Sequence, residues 1–203
     1  MILLIGANGS MGKRYQAILN YLNKPFIAVD LETSFETVLD IALECNRIII
    51  ATTTDTHVKF LRELIPLNKK ILCEKPVCKN SAELEEILDL VKNSKSTFEM
   101  VFQYGELVNT KKPYKGDTFY DYFRTGNDGL KWDCLQIISI AKGQVKINNK
   151  SPIWTCKLNG TVLSSSAMDQ AYIDFLDRWL NNKISRSHQW LLDIHKKVEN
   201  YVQ

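Results

Sequence analysis

Four apolar residues, Ile2-Leu3-Leu4-Ile5, run directly into Gly6-Ala7-Asn8-Gly9-Ser10-Met11-Gly12, then into a stretch at helical spacing and a second apolar run ending at Asp30. A strand that turns into a helix within a few residues needs positions without side chains at the turn, and the G-x-x-G-x-x-G spacing supplies them. Backbone N–H groups at the start of such a helix face outward from the sheet edge, where a pyrophosphate can lie against them. Asp30 comes 24 residues after Gly6, at the end of the predicted second strand. A carboxylate there accepts hydrogen bonds from ribose hydroxyls and repels a 2′-phosphate. The reading is a βαβ unit for a dinucleotide, contacted by Gly6, Ala7, Asn8, Gly9, Ser10, Met11, Gly12 and Asp30, with NAD favoured and NADP left open. A phosphate-only P-loop is disfavoured, because no G-K-[ST] follows the glycines.

The alternation of strand and helix continues to about residue 103. Residues 34 to 45 place Phe35, Val38, Leu39, Ala42 and Leu43 at helical spacing, and Ile48-Ile49-Ile50-Ala51 reads as a strand covered on both faces. A helix with Val58, Leu61 and Leu64 follows, stopped near Pro66, then a strand Lys70-Ile71-Leu72-Cys73. Asn80 with Glu83 three residues on forms a capping box for a helix carrying Leu84, Ile87, Leu88 and Val91. Thr97 to Phe102 makes a fifth strand. This predicts an α/β protein, a Rossmann doubly wound parallel sheet over 1–103.

Residues 104–203 follow another pattern. A linker or surface loop over 105 to 118 leads to a strand at Phe119-Tyr120-Asp121-Tyr122-Phe123 and a helix over Leu130 to Ala141. Asn159-Gly160 sits between Ile153–Leu158 and Thr161–Ser165, a strong hairpin signal. Two closing helices carry Tyr172, Phe175, Leu176, Trp179 and Leu180, then Trp190, Ile194, Val198 and Tyr201, as core or interface stripes. The expectation is a small α+β domain with a mainly antiparallel sheet.

With 203 residues, 45% of them apolar, the chain can bury a sizeable core. Its 26 basic and 23 acidic residues create no strong field, so nucleic acid and anionic membrane are not expected partners, and a small molecule is. Five cysteines without a C-x-x-C pair suit a reducing, cytoplasmic setting. Met1 runs into the first strand without a basic leader, and no apolar run approaches the ~20 residues of a membrane span. His188 and His195 have no accompanying ligand set, so no metal site is expected, and both read as surface or interface residues.

Strands three and four should end at the glycine-loop edge, bringing Ala51-Thr52-Thr53-Thr54-Asp55-Thr56-His57 and Glu74-Lys75-Pro76 there. With G-x-x-G-x-x-G, Asp30, A-T-x-x-x-x-H and C-E-K-P at Cys73 to Pro76, the first hundred residues closely resemble the Gfo/Idh/MocA oxidoreductases, the family of glucose-fructose oxidoreductase and inositol dehydrogenase. The resemblance implies a nicotinamide enzyme in which Ala51, Thr52, Thr53, His57 and Glu74 accompany the cofactor. It further implies that Lys75 projects between nicotinamide and substrate, with Glu74 and Pro76 fixing its loop and His57 outside proton transfer. A lysine in that position can donate a hydrogen bond to a reacting oxygen and stabilise negative charge developing on it.

The second half departs from the family, whose G-G-x-x-x-D-x-x-x-H motif has its nearest counterpart in Asp128-Gly129-Leu130-Lys131-Trp132-Asp133-Cys134-Leu135-Gln136-Ile137. Asp133 is retained, while Gln136 or Ile137 stands where the family has histidine, and neither exchanges a proton near neutral pH. Asp133, Gln136 and the tyrosines Tyr104, Tyr120 and Tyr122 are candidate helpers of Lys75. The resemblance implies hydride transfer to or from a sugar, polyol or related carbonyl compound. A homodimer or higher oligomer through the second-domain sheet is one expected assembly. The competing reading is a dinucleotide-binding sensor or scaffold that has lost catalysis. Dihydrodipicolinate reductase shares a similar glycine spacing but is a distant third, since its P-S-G-T segment is missing here.

Overall fold

The computed structural model describes residues 1–107, 118–121, 145–148, 155–158, 161–163 and 165–201. The chain divides into two units, Met1–Val101 and Phe102–Gln203. In the first, β1 (Ile2–Ile5), α1 (Ser10–Tyr21), β2 (Phe26–Val29), α2 (Phe35–Glu44), β3 (Arg47–Ile50), α3 (Thr54–Leu64), β4 (Lys70–Cys73), α4 (Ser81–Lys92) and β5 (Thr97–Met100) alternate without exception. All strand pairs are parallel, in the order β2-β1-β3-β4-β5. The order reverses at β1, so right-handed crossovers put α1 on one face and α2, α3 and α4 on the other. That arrangement explains why Leu3, Leu4, Ile48, Ile49, Ile50, Ile71 and Leu72 are all fully buried with no polar alternation.

Local chemistry sets the helix ends. The Ser34 hydroxyl accepts the Thr37 N–H at 3.2 Å, and Asn80 Oδ1 accepts the Glu83 N–H at 2.9 Å. The reciprocal half of the predicted capping box is shifted by one residue: the Glu83 carboxylate accepts from Lys79 N–H, at 2.9 Å. After α3 a 3₁₀ turn over Ile65–Leu67 contains Pro66 and ends at Asn68 in the left-handed region, φ 58°. Two sequence expectations need correction here. Leu43 is 55% exposed, because on α2 only Val38 and Ala42 are buried. The fifth strand ends at Met100, two residues early.

The second unit contains α5 (Tyr104–Leu107), β6 (Thr118–Asp121), β7 (Val145–Asn148), β8 (Thr155–Leu158), β9 (Thr161–Leu163), α6 (Ser165–Leu180) and α7 (His188–Tyr201). Its sheet runs β7-β6-β8-β9, parallel between β6 and β7 and antiparallel at the other two pairings. Leu158 pairs with Thr161, as a two-residue hairpin connection requires. Asn159-Gly160 itself, and the expected helix over Leu130 to Ala141, lie outside the described residues. Ser165 begins α6 and is not the end of a strand.

On α6, Tyr172, Phe175, Leu176, Trp179 and Leu180 are all buried, as their spacing predicts. Gln103 donates to the Tyr172 hydroxyl at 2.8 Å, and Arg178 pairs with Glu106 at 2.7 Å, tying α5 to α6. The Arg186 guanidinium lies 4.8 Å from the Phe102 ring centre and 5.5 Å from those of Phe175 and Trp190. His195 is fully buried, which corrects its reading as a surface or interface residue. It falls four residues after Leu191 and three before Val198, in the middle of the buried face of α7. Among the described residues no helix is long and apolar enough to cross a membrane.

Candidate functional site

The loops that carry the sequence motifs all leave the first sheet at one level. Gly6 N–H bonds Val29 O at 2.9 Å, Ala51 N–H bonds Ile5 O at 2.8 Å, and Glu74 N–H bonds Ile50 O at 2.9 Å. The reversal at β1 opens a crevice beyond those carboxyl ends, where ligands of doubly wound sheets bind. A cleft of about 630 Å³ lies there, lined by Gly6, Asn8, Gly9, Ser10 and Met11 of the first loop, by Asp30 after β2, and by Ala51, Thr52 and Thr53 after β3.

Glycine is required at two positions of the first loop. Gly6 has φ +88°, and a Cβ there would stand 2.7 Å from the Ala51 carbonyl. A Cβ on Gly12 would collide with the Gly6 carbonyl oxygen and lie 2.7 Å from Ala7 backbone atoms. Gly9 serves differently. It is the N-cap of α1 and supplies no side-chain cap, and the first turn holds no acidic residue, so the opening N–H groups of α1 are left for an anion at the cleft. Asp30 Oδ2 accepts the Asn8 N–H at 2.6 Å and Oδ1 accepts the Leu31 N–H at 2.7 Å. Each oxygen keeps a second lone pair for a ligand hydroxyl. A diphosphate at the α1 N-terminus with a ribose at Asp30 fits this donor and acceptor set.

Ala7, Gly12, His57, Glu74 and Lys75 are not among the lining residues of this cleft. Ala7 and Gly12 build the turn from behind, and the Ala7 carbonyl accepts from Gln16 Nε2 at 2.8 Å. His57 is 1% exposed, with Nδ1 2.9 Å from the Pro76 carbonyl oxygen and Nε2 3.0 Å from that of Thr52. Burial pushes its pKa down, opposed by those carbonyls, and a neutral ring can donate its single N–H to only one of them, so the ring packs between the β3 loop and the β4 loop with one hydrogen bond. Glu74 is buried too. Its Oε1 accepts from the Tyr15 hydroxyl at 2.5 Å and its Oε2 from Lys75 N–H at 3.1 Å. Burial raises its pKa, opposed by the Lys75 ammonium and the Tyr15 hydrogen bond. Lys75 is half-buried beside a cis bond to Pro76. Asp133, Gln136 and Tyr122 lie outside the described residues, and Tyr104 is buried in α5.

Sequence reasoning missed Tyr15, which is the partner of Glu74, and the far end of the cleft, formed by Leu31, Thr33, Phe35, Lys59 and Phe60. Nothing in the sequence marks them, because α1, α2 and α3 meet these loops only in the fold.

Fold and loops together define a doubly wound nucleotide-binding unit. Residues 13–102 match the Gfo/Idh/MocA family model, described as an oxidoreductase family with an NAD-binding Rossmann fold. The family resemblance stands on that match, and the first unit is a Rossmann fold. Among solved structures, the chain is similar to the WlbA (WbpB) dehydrogenase of Thermus thermophilus in complex with NAD and UDP-GlcNAcA, at TM-score 0.75 and 11% identity, covering 100% of this chain and 94% of that one. It is similar to the dehydrogenase MviM of Clostridium difficile, at TM-score 0.76 and 13% identity, covering 99% and 98%. A Gfo/Idh/MocA family oxidoreductase of Vibrio cholerae matches at TM-score 0.73 and 10% identity, covering 99% and 98%. At these identities the likeness is one of fold. The comparison with curated proteins found no match.

Proposed function

We propose that this chain is an NAD-dependent oxidoreductase acting on a small polar substrate, a sugar, polyol or related carbonyl compound. The observation that carries the reading is the cleft that joins the uncapped start of α1 to the Asp30 carboxylate. One accepts a diphosphate and the other a ribose. Nicotinamide, when bound, supplies the hydride chemistry. The matched family and the NAD named with the Thermus thermophilus enzyme support this cofactor.

The chain's own part is orientation and charge. Lys75 leaves the sheet at the same edge as the glycine loop, and its ammonium can hold a substrate oxygen and stabilise negative charge on it. Glu74, anchored by Tyr15, and His57, packed between Pro76 and Thr52, hold the backbone on either side of Lys75. Asp133 and Gln136 remain helpers on the sequence reading. We read residues 1–103 as the NAD(P)-binding domain and 104–203 as a reduced substrate and dimerisation domain, whose sheet pairs with a second copy. A cytoplasmic setting accords with the buried thiols Cys45, Cys73 and Cys78. Titration with NADH followed by calorimetry tests the cofactor, and NADH oxidation across a panel of sugar-derived carbonyl compounds tests the reaction.

One observation favours a second reading, a dinucleotide-binding sensor: Gln136 and Ile137 stand where the resemblance calls for a histidine. Tight NADH binding with no turnover across the panel is its expected result.

A further inference from the structure

We infer that β2 is a docking edge for a second copy of this chain, the two strands pairing antiparallel about a twofold axis at Ile27. The inference does not rest on the nucleotide reading. β2 stands at the end of the first sheet, and its residues are Phe26, Ile27, Ala28 and Val29. Edge strands that stay single are commonly guarded by a charge, a bulge or a proline whose missing N–H faces outward. None of these four residues is charged. Pro25 offers no guard either, because Ile2 N–H reaches its carbonyl at 3.3 Å, so that residue turns inward to β1. Ile27 is 37% exposed, and Ala28, which points to the opposite face of the sheet, is exposed as well. Both faces of the strand are therefore open at its middle.

The hydrogen bonds choose the occupant. Gly6 N–H bonds the Val29 carbonyl at 2.9 Å, so by the strand's period of two Pro25, Ile27 and Val29 face β1 while Phe26 and Ala28 face outward. Among the described residues, the backbone N–H and C=O groups of Phe26 and Ala28 have no hydrogen-bond partner. The open row ends differently on each side. Lys24 N–H bonds the Leu19 carbonyl and the Asp30 carbonyl accepts Thr33 N–H, both at 2.9 Å, which leaves the Lys24 carbonyl and the Asp30 N–H. A copy related by a twofold axis at Ile27 uses all of these groups: Phe26 exchanges both bonds with Ala28 of the other copy, and Asp30 N–H meets its Lys24 carbonyl. Other registers waste them. An axis at Ala28 would aim Phe26 N–H at the occupied Asp30 carbonyl, and one at Phe26 would set the Ala28 carbonyl against the occupied Lys24 N–H. The Ile27 register also sets Lys24 of one copy opposite Asp30 of the other, a cation against an anion at both ends, and brings the exposed Ile27 side chains together. An unrelated strand matches this pattern only by chance, and a second copy matches it by symmetry.

Sedimentation of the full chain at high micromolar concentration tests the contact. Ala28→Pro removes an outward N–H and leaves the bonds to β1 in place, so it is expected to halve the assembled mass, whether or not the second-unit sheet also joins copies. Thermal melts matching the unaltered protein establish that it folds. Ile27→Cys tests the register and carries the test if the proline is not tolerated. Directly opposite residues of a non-hydrogen-bonded pair have Cα atoms about 4.5 Å apart, within reach of a disulfide, so with oxidised glutathione this variant should form a linked dimer on non-reducing electrophoresis. Ala28→Cys lies two residues off its own copy, beyond the ~7 Å limit, and should link no more than the unaltered protein, whose Cys45, Cys73 and Cys78 are buried. A monomeric unaltered chain, a folded Ala28→Pro protein of unchanged mass, or Ile27→Cys linking no better than Ala28→Cys would each overturn the inference.

Discussion

Tyr15, on the helix that follows the glycine loop, donates its phenolic proton across 2.5 Å to the buried carboxylate of Glu74, 59 residues further along the chain. The bond joins the helix that follows the glycine loop to the segment that carries Lys75. Tyr15→Phe keeps the ring, which is fully buried, and leaves the carboxylate short of a donor. The expected loss is about 1–3 kcal/mol of folding stability. Urea unfolding of the variant at neutral pH checks it, and an unchanged midpoint would show that the bond contributes nothing net.

Asp30 should set both affinity and choice of dinucleotide. Asp30→Ala removes the acceptor for Asn8 N–H and for a ribose, so NADH binding should weaken on the order of 10-fold and the preference over NADPH should shrink. Lys59 is the single lysine or arginine among the described lining residues, and Lys13 and Arg14 are exposed and absent from the lining. Tighter binding of NADPH than NADH by the unaltered protein would refute the specificity argument.

Lys75→Ala should lower turnover on the order of 10²- to 10³-fold while NADH affinity stays within a few-fold. The aliphatic stem contributes little to the dinucleotide cleft, where Lys75 does not appear. Gln136→Ala should have a smaller effect, since an amide orients a substrate or water without exchanging a proton. Kinetics and affinity have to be measured separately. Full turnover in Lys75→Ala would remove its catalytic role.

Gly12→Ala forces a methyl group into the Gly6 carbonyl and Ala7 backbone, neither of which can swing aside as a side-chain tip would. Overpacking of this kind costs about 1–3 kcal/mol. Gly9→Ala is the control, because its Cβ would stand 3.5 Å from the nearest atom, at ordinary contact distance. Thermal melts of the two variants should differ clearly, with Gly12→Ala lower.

His195 should make the fold sensitive to acid. Burial pushes its pKa down from 6.5 to about 4, partly opposed by Glu199. Above pH 6.5 the ring is neutral in both folded and unfolded chains and the contribution is fully present. As pH falls toward 4 the unfolded chain takes up a proton that the folded one refuses, so stability declines, on the order of 3 kcal/mol in all, and levels off below. His195→Leu should flatten that part of the pH profile in urea unfolding. An equally steep decline in the variant would assign the acid sensitivity elsewhere.

The first unit was readable because its signals are local. Ile48-Ile49-Ile50 buries both faces of one strand, Asn80 caps its own helix, and Gly6 and Asp30 bracket a single βαβ unit. Each depends on residues close in sequence or on a strand's own two faces. The exposure of Leu43 and the burial of His195 were misread for a shared reason: helical spacing says which residues share a face and not how wide the covered stripe is.

By itself the sequence determined the alternation of strands and helices, the position of the glycine turn and the carboxylate at the end of β2, since backbone sterics and hydrophobic period act over a few residues. Only the tertiary structure decided that Glu74 faces Tyr15, that His57 packs between Pro76 and Thr52, and that Phe35 meets Phe60. Those pairings depend on how separate helices are packed against one sheet. The packing reflects the burial of many side chains at once, so no short stretch of sequence encodes it.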